Sequence, residues 1–70
     1  MSMTEKIKIL LIKRKTSITS LAESLGMSQS NLSNKLSRDN FSEKELEEMA
    51  KALDCTLKIN FQLNDTDEII

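Results

Sequence analysis

Apolar residues recur with helical spacing in four separate segments of the first 54 residues. In the second and fourth segments they fall at i, i+3, i+4 and i+7: Ile18, Leu21, Ala22 and Leu25, then Leu46, Met49, Ala50 and Leu53. Such a row forms the buried face of an amphipathic helix. The pattern predicts a mostly α fold with helices over residues 4–15, 18–25, 28–37 and 42–53.

Capping residues set the predicted ends of these helices. A hydroxyl side chain stands where each helix is expected to begin: Thr4, Ser17, Ser28 and Ser42. Ser42 and Glu45 have the spacing of a capping box. Gly26 directly follows the second helix, where glycine with a positive φ commonly ends a helix. The second and third helices are therefore joined by about three residues, as in a helix-turn-helix.

The hydrophobic period changes to two after residue 54. Alternating apolar and polar residues predict a β-strand over residues 55–63, the only strand in the chain. A lone strand leaves backbone groups unpaired, and antiparallel pairing with the same strand of a second copy would satisfy them. The predicted homodimer interface consists of Leu57, Ile59, Phe61 and Leu63. The alternative is a fifth helix in a monomer. Residues 64–70 are expected to form a frayed acidic tail.

Composition narrows the class of protein. Seventy residues allow one small domain, and residues 1–54 would form it. The longest apolar run, Ile9 to Ile12, is too short to cross a membrane, and no signal-peptide pattern is present. One cysteine and no histidine exclude an internal disulfide and a Cys/His zinc site, so we expect no metal or cofactor and a reducing cytoplasm. Without histidine or a glycine-rich phosphate loop, we expect no enzymatic activity.

Charge is distributed unevenly along the chain. Residues 1–38 contain seven basic and two acidic residues, a net of +5, whereas residues 39–70 contain three basic and nine acidic residues, a net of −6. The overall net charge of −1 is therefore compatible with a basic surface on the first three helices.

The third predicted helix has an unusual composition. In the stretch GMSQSNLSNKL, residues 26–36, only Leu32 and Leu36 can anchor the helix to a core, and most other residues are small and polar. Serine and asparagine are mediocre helix formers. However, they allow close approach to the major groove of DNA, and Gln or Asn amides match the N6 and N7 atoms of adenine.

The segment ITSLAESLGMSQSNLSNKL, residues 18–36, resembles the Cro/repressor-type (XRE-like, lambda repressor-like) helix-turn-helix of bacterial and phage regulators. Ala22, Gly26 and Leu32 stand at the offsets of that family's small buried residue, turn glycine and buried recognition-helix residue. The resemblance extends over about residues 4–54. It implies a four-helix DNA-binding domain whose third helix enters the major groove.

By position, the resemblance also implies roles for individual residues. Base-reading positions are Gln29, Ser30, Asn34 and Ser28. Positions that contact the DNA backbone are Ser17, Asn31, Lys35, Arg38 and Asn40. Family members often carry a glutamine where this chain has Ile18, so that phosphate contact is not expected here. Many members also continue with a fifth helix, and the predicted strand favours Cro-like pairing instead.

The sequence therefore predicts a homodimeric transcriptional regulator that represses by binding a roughly palindromic double-stranded operator. Because no sensory domain is apparent, regulation would come from protein concentration or from a separate regulatory protein. The alternative is a protein-interaction module, such as an antitoxin or adaptor, that uses the strand and the acidic tail as contact surfaces.

Overall fold

A computed structural model describes all 70 residues and contains four helices. They are α1 (Met3–Lys13), α2 (Ile18–Leu25), α3 (Gln29–Arg38) and α4 (Glu43–Ala52). The mostly helical, four-helix fold is confirmed, and every boundary lies within two residues of its predicted position. The first helix ends two residues before residue 15, because Lys15 has a φ of +52°, outside the right-handed helical region.

A serine caps the N-terminus of every helix: Ser2, Ser17, Ser28 and Ser42. Each hydroxyl oxygen accepts a hydrogen bond from the backbone N–H three residues further on, at 3.1 Å. Such a cap stabilises a helix by about 1 kcal/mol. In α4 the capping box is complete, since Glu45 accepts from the N–H of Ser42 at 3.0 Å. The prediction that Thr4 caps the first helix is wrong, because Ser2 does so and Thr4 lies inside α1.

The core lies where one face of each helix meets the others. Leu21 and Leu32 are fully buried where α2 packs against α3. The rest of the main cluster comes from all four helices and the end of α4: Ile7, Leu11, Ala22, Leu36, Met49 and Leu53. Because burial of one large aliphatic side chain contributes about 1.5–3 kcal/mol, Leu32 and Leu36 together hold α3 firmly against the domain.

Polar contacts at both ends attach α1 to the other helices. At its start, the backbone N–H of Thr4 donates to the carboxylate of Asp39, the residue that follows α3. At its end, the guanidinium of Arg14 donates to the carbonyl of Leu53 at 2.7 Å and to that of Asp54 at 2.8 Å. These carbonyls follow α4 and would otherwise lack a partner in the helix, so Arg14 satisfies the end of α4.

The C-terminal segment differs from its prediction. No β-strand forms over residues 55–63, so the predicted strand and its pairing across a dimer are not confirmed. The only bridge joins Gln62 and Ile69, and the backbones of Phe61 and Ile70 exchange hydrogen bonds at 2.7 and 2.8 Å. Strand hydrogen bonds require a neighbouring extended segment, and within one chain only residues 61–63 have such a neighbour. The C-terminal residues 64–70 are not frayed, because they turn back and pair with residues 61–63.

Candidate nucleic-acid interface

The connection between α2 and α3 is a tight turn of three residues, Gly26, Met27 and Ser28. Gly26 has a φ of +70° and ends α2, while the N–H of Met27 donates to the carbonyl of Ala22. A positive φ is adopted readily by glycine and costs other residues conformational energy. Met27 is half-buried and packs against the core. This turn fixes the direction in which α3 leaves α2.

One face of α3 is polar and exposed. Ser30, Asn34 and Ser37 are spaced at i, i+4 and i+7, so they form a single row, which we call the groove face. The buried residues Leu32 and Leu36 lie on the opposite side of the helix. None of the three groove-face side chains forms a hydrogen bond within the chain, so their donors and acceptors are available to a ligand.

Ser37 was not among the residues predicted from the sequence to contact DNA. The sequence spacing does indicate it, because Ser37 lies three residues after Asn34 and seven after Ser30, and residues so spaced share one face of a helix. Ser33, by contrast, is half-buried and does not belong to the exposed row. Helical spacing therefore extends the groove face by one residue beyond the predicted set.

The two remaining base-reading candidates lie where α3 begins. Gln29 is its first residue, is exposed and has no hydrogen-bond partner within the chain. Ser28 is the N-cap, and its hydroxyl oxygen already accepts from the N–H of Asn31. The hydroxyl proton of Ser28 remains free, so this residue can donate to a ligand while it caps the helix.

A second row runs along α3 beside the groove face. Asn31, Lys35 and Arg38 are spaced at i, i+4 and i+7, and we call them the flanking row. Asn31 and Arg38 are exposed and form no side-chain hydrogen bond or ion pair within the chain. The structure thus brings three of the five predicted backbone-contact residues into one line.

Lys35 differs from its two neighbours because its ammonium group is already paired. Its Nζ lies 2.6 Å from Oε2 of Glu45 in α4. The Lys35 side chain is 37% exposed, so solvent and ligands can reach it, whereas the Glu45 side chain is 25% exposed and its Oε2 is itself buried. The hydrogen bond from Lys35, together with that from the N–H of Ser42, lowers the pKa of Glu45 from 4.5 to about 2. Glu45 is therefore a charged carboxylate at neutral pH.

The last two predicted backbone contacts lie outside α3. Ser17 is the N-cap of α2, is exposed, and accepts from the N–H of Ser20. Asn40 is exposed in the loop between α3 and α4. Ile18 is half-buried and packs against the core.

No three His, Cys, Asp or Glu side chains are grouped so that they could hold a metal ion. No helix has the length and apolar character needed to cross a membrane. The most apolar cavity, about 300 Å³, lies between α1, α4 and residues 55–59, away from α3.

The turn that begins at Gly26 joins α2 to α3. Buried leucines hold α3 against the core, and its opposite face is polar and exposed. This arrangement defines a helix-turn-helix domain. Residues 6–58 match the family model of the Cro/C1-type HTH DNA-binding domain, and the chain belongs to this family. Membership implies DNA binding and a part in the regulation of transcription. Searches of curated proteins and of solved structures returned no match.

Proposed function

We propose that this protein is a sequence-specific regulator that inserts α3 into the major groove of double-stranded DNA and represses transcription. One observation carries the proposal: a row of small, unpaired polar side chains lies on a helix that two buried leucines fix in place. Small side chains allow the helix to approach the base edges closely, and their amides and hydroxyls can read those edges. Binding alone, without catalysis, is the proposed activity.

Individual contacts follow from the position of each side chain. Base edges would be read by the exposed residues at the start and along the groove face of α3: Ser28, Gln29, Ser30, Asn34 and Ser37. Phosphates would be contacted by Ser17 before α2, by the flanking row Asn31, Lys35 and Arg38, and by Asn40. Contacts on both sides of the groove would set the register of α3, and those in the groove would set its sequence preference.

The proposal includes a homodimer that forms through residues 55–63. Three apolar side chains in this segment are exposed in the single chain: Ile59 by 54%, Phe61 by 75% and Leu63 by 38%. Residues 61–63 pair with residues 68–70 on one edge only, so their other edge is open to a second copy. A two-fold dimer would bind a roughly palindromic operator with half-sites about 34 Å apart.

Repression is the proposed mode of regulation, because a dimer bound over a promoter excludes polymerase without any further surface. Its activity would be set by protein concentration or by a separate regulatory protein. The compartment consistent with this role is the cytoplasm, where the free thiol of Cys55 stays reduced.

Substitution of the groove face tests this proposal. Asn34→Asp adds a negative charge on the groove face, and we expect it to weaken binding to a fluorescent 30-base-pair duplex of random sequence at least tenfold in anisotropy titrations. Asn64→Asp is the matched control, because it makes the same chemical change in the distant C-terminal turn. Equal affinities of the two folded variants would contradict the placement of DNA on α3.

A protein-interaction module, such as an antitoxin or adaptor, is the second candidate. The apolar side chains exposed near the C-terminus favour it, because exposed apolar clusters commonly bind protein partners. Under this alternative, folded wild-type protein would not bind the random duplex at 50 mM salt. Binding by the wild type together with its loss in Asn34→Asp would exclude it.

A further inference from the structure

The flanking row of α3 contains two cations, and only one of them is free. Arg38 is exposed and unpaired, whereas the ammonium of Lys35 is held 2.6 Å from Glu45. Lys35 lies in the middle of the row, one helical turn from Asn31 and one from Arg38. A DNA strand whose phosphates lie along this row would therefore contact Lys35, whose ammonium group is already paired with the carboxylate of Glu45.

We propose that Glu45 competes with a DNA phosphate for Lys35 and so holds the affinity of the protein for DNA below its attainable value. This inference rests on the proposed function. On binding, Lys35 would leave the carboxylate of Glu45 for a phosphate on the adjacent strand. Glu45 would then be unpaired beside a polyanion, which opposes binding.

The exposure of the Lys35 side chain makes this exchange feasible. A buried ion pair could not separate without a large desolvation cost, but the Lys35 side chain is more than one third exposed. Because the pair is partly exposed, its contribution to stability is modest, and the exchange opposes DNA binding by a correspondingly small factor. Glu45 also retains a second, independent partner, since its other oxygen accepts from the N–H of Ser42.

The capping box makes a clean substitution possible. Glutamine serves as well as glutamate at this position of a capping box, so Glu45→Gln keeps the hydrogen bond to Ser42 and removes only the charge. Glu48→Gln is the matched control: it lies on the same helix, is exposed, has no ion pair and changes the net charge equally. Any difference between the two variants therefore reports on Lys35 rather than on general electrostatics.

The test uses the full chain and a random-sequence 30-base-pair duplex, because phosphate contacts do not depend on sequence. We expect Glu45→Gln to bind about two- to fivefold more tightly than wild type. The dependence of log K on log salt between 50 and 200 mM should become steeper by up to about 0.9 for each bound copy. Glu48→Gln should show a smaller change in both quantities.

A double-mutant cycle completes the experiment. In a Lys35→Gln background, Glu45→Gln should tighten binding no more than Glu48→Gln does, because no ion pair is left to break. The inference is overturned if Glu45→Gln and Glu48→Gln bind alike, if Glu45→Gln weakens binding, or if its gain is undiminished without Lys35. Those results leave the proposed function intact. Failure of folded wild-type protein to bind the duplex would instead overturn the proposed function and this inference with it.

Discussion

The carboxylate of Asp39 accepts a hydrogen bond from the backbone N–H of Thr4 at 2.8 Å and so joins the end of α3 to the first turn of α1. The Thr4 hydroxyl lies 2.7 Å from the carbonyl of Leu36 and 2.9 Å from Asp39, and its single proton is donated to one of them at a time. These residues are separated by more than 30 positions in the sequence. Their contact fixes the C-terminal end of α3, the helix proposed to read DNA.

Removal of this contact should lower the stability of the fold. We expect Asp39→Ala to reduce the free energy of unfolding by about 1–3 kcal/mol, because Thr4 loses its acceptor and alanine tolerates a φ of +51° poorly. Urea unfolding followed by circular dichroism measures the change. Asp54→Ala is the matched control, since Asp54 also follows a helix with a φ of +53° but its carboxylate has no partner. Equal losses in both variants would assign the effect to backbone conformation alone.

The stability of the fold should also depend on the protonation of Glu45. Its pKa of about 2 lies below the ordinary value of 4.5, so the contribution of the ionised carboxylate is complete above pH 4.5. As the pH falls from 4.5 towards 2, Glu45 becomes protonated and its contribution to the free energy of unfolding is lost. Because the pair is partly exposed, the loss is on the order of 1 kcal/mol.

Thermal unfolding at pH 7 and at pH 3 measures this dependence. The wild type should lose more stability than Glu45→Gln between these two pH values. Glu48→Gln should follow the wild type, because it retains the carboxylate of Glu45. A parallel decrease in all three proteins would show that the Lys35 pair does not stabilise the fold.

How much of this fold the sequence predicts depends on whether the relevant signal is local. The bounds of α2 and its end at Gly26 follow from a four-residue apolar row and one glycine, both local features. The start of α1 was mispredicted, because Ser2 forms the cap and the hydroxyl of Thr4 contacts the distant carbonyl of Leu36 instead. The pairing of Lys35 with Glu45 joins residues ten positions apart on two helices, so no spacing rule reveals it.

The C-terminal segment shows a different limit of sequence reasoning. Strict alternation indicates extended backbone with one apolar face, and residues 55–61 carry no helix. However, a strand also requires a hydrogen-bonding neighbour, which the pattern does not specify. The groove face, by contrast, was largely predictable, because a helix exposes residues at a fixed spacing.

The proposed dimer predicts a specific effect of charge at Ile59. Ile59→Lys places an ammonium group within the predicted interface, where burial without a partner is costly, so we expect monomers. Sedimentation velocity measures the change. Ile12→Lys makes the same substitution at an isoleucine that is 76% exposed on α1, outside the interface, and should stay dimeric. A dimer in Ile59→Lys would contradict pairing through residues 55–63.

The role of Gln29 predicts a loss of specificity rather than of general affinity. Gln29→Ala should cost roughly 1–3 kcal/mol in binding to a preferred duplex, because a base edge loses its partner. Binding to an unrelated duplex should change little, since phosphate contacts remain. Anisotropy titrations against both duplexes measure the two effects. Equal weakening on both would show that Gln29 does not read a base.

The most direct test of the central claim is selection of bound duplexes from a random DNA library at about physiological salt, where nonspecific binding is weak. We predict enrichment of an inverted repeat whose half-sites lie about one helical turn apart. Enrichment of a single half-site would support reading by α3 and reject the two-fold dimer. No enrichment by protein shown to be folded would contradict sequence-specific DNA binding.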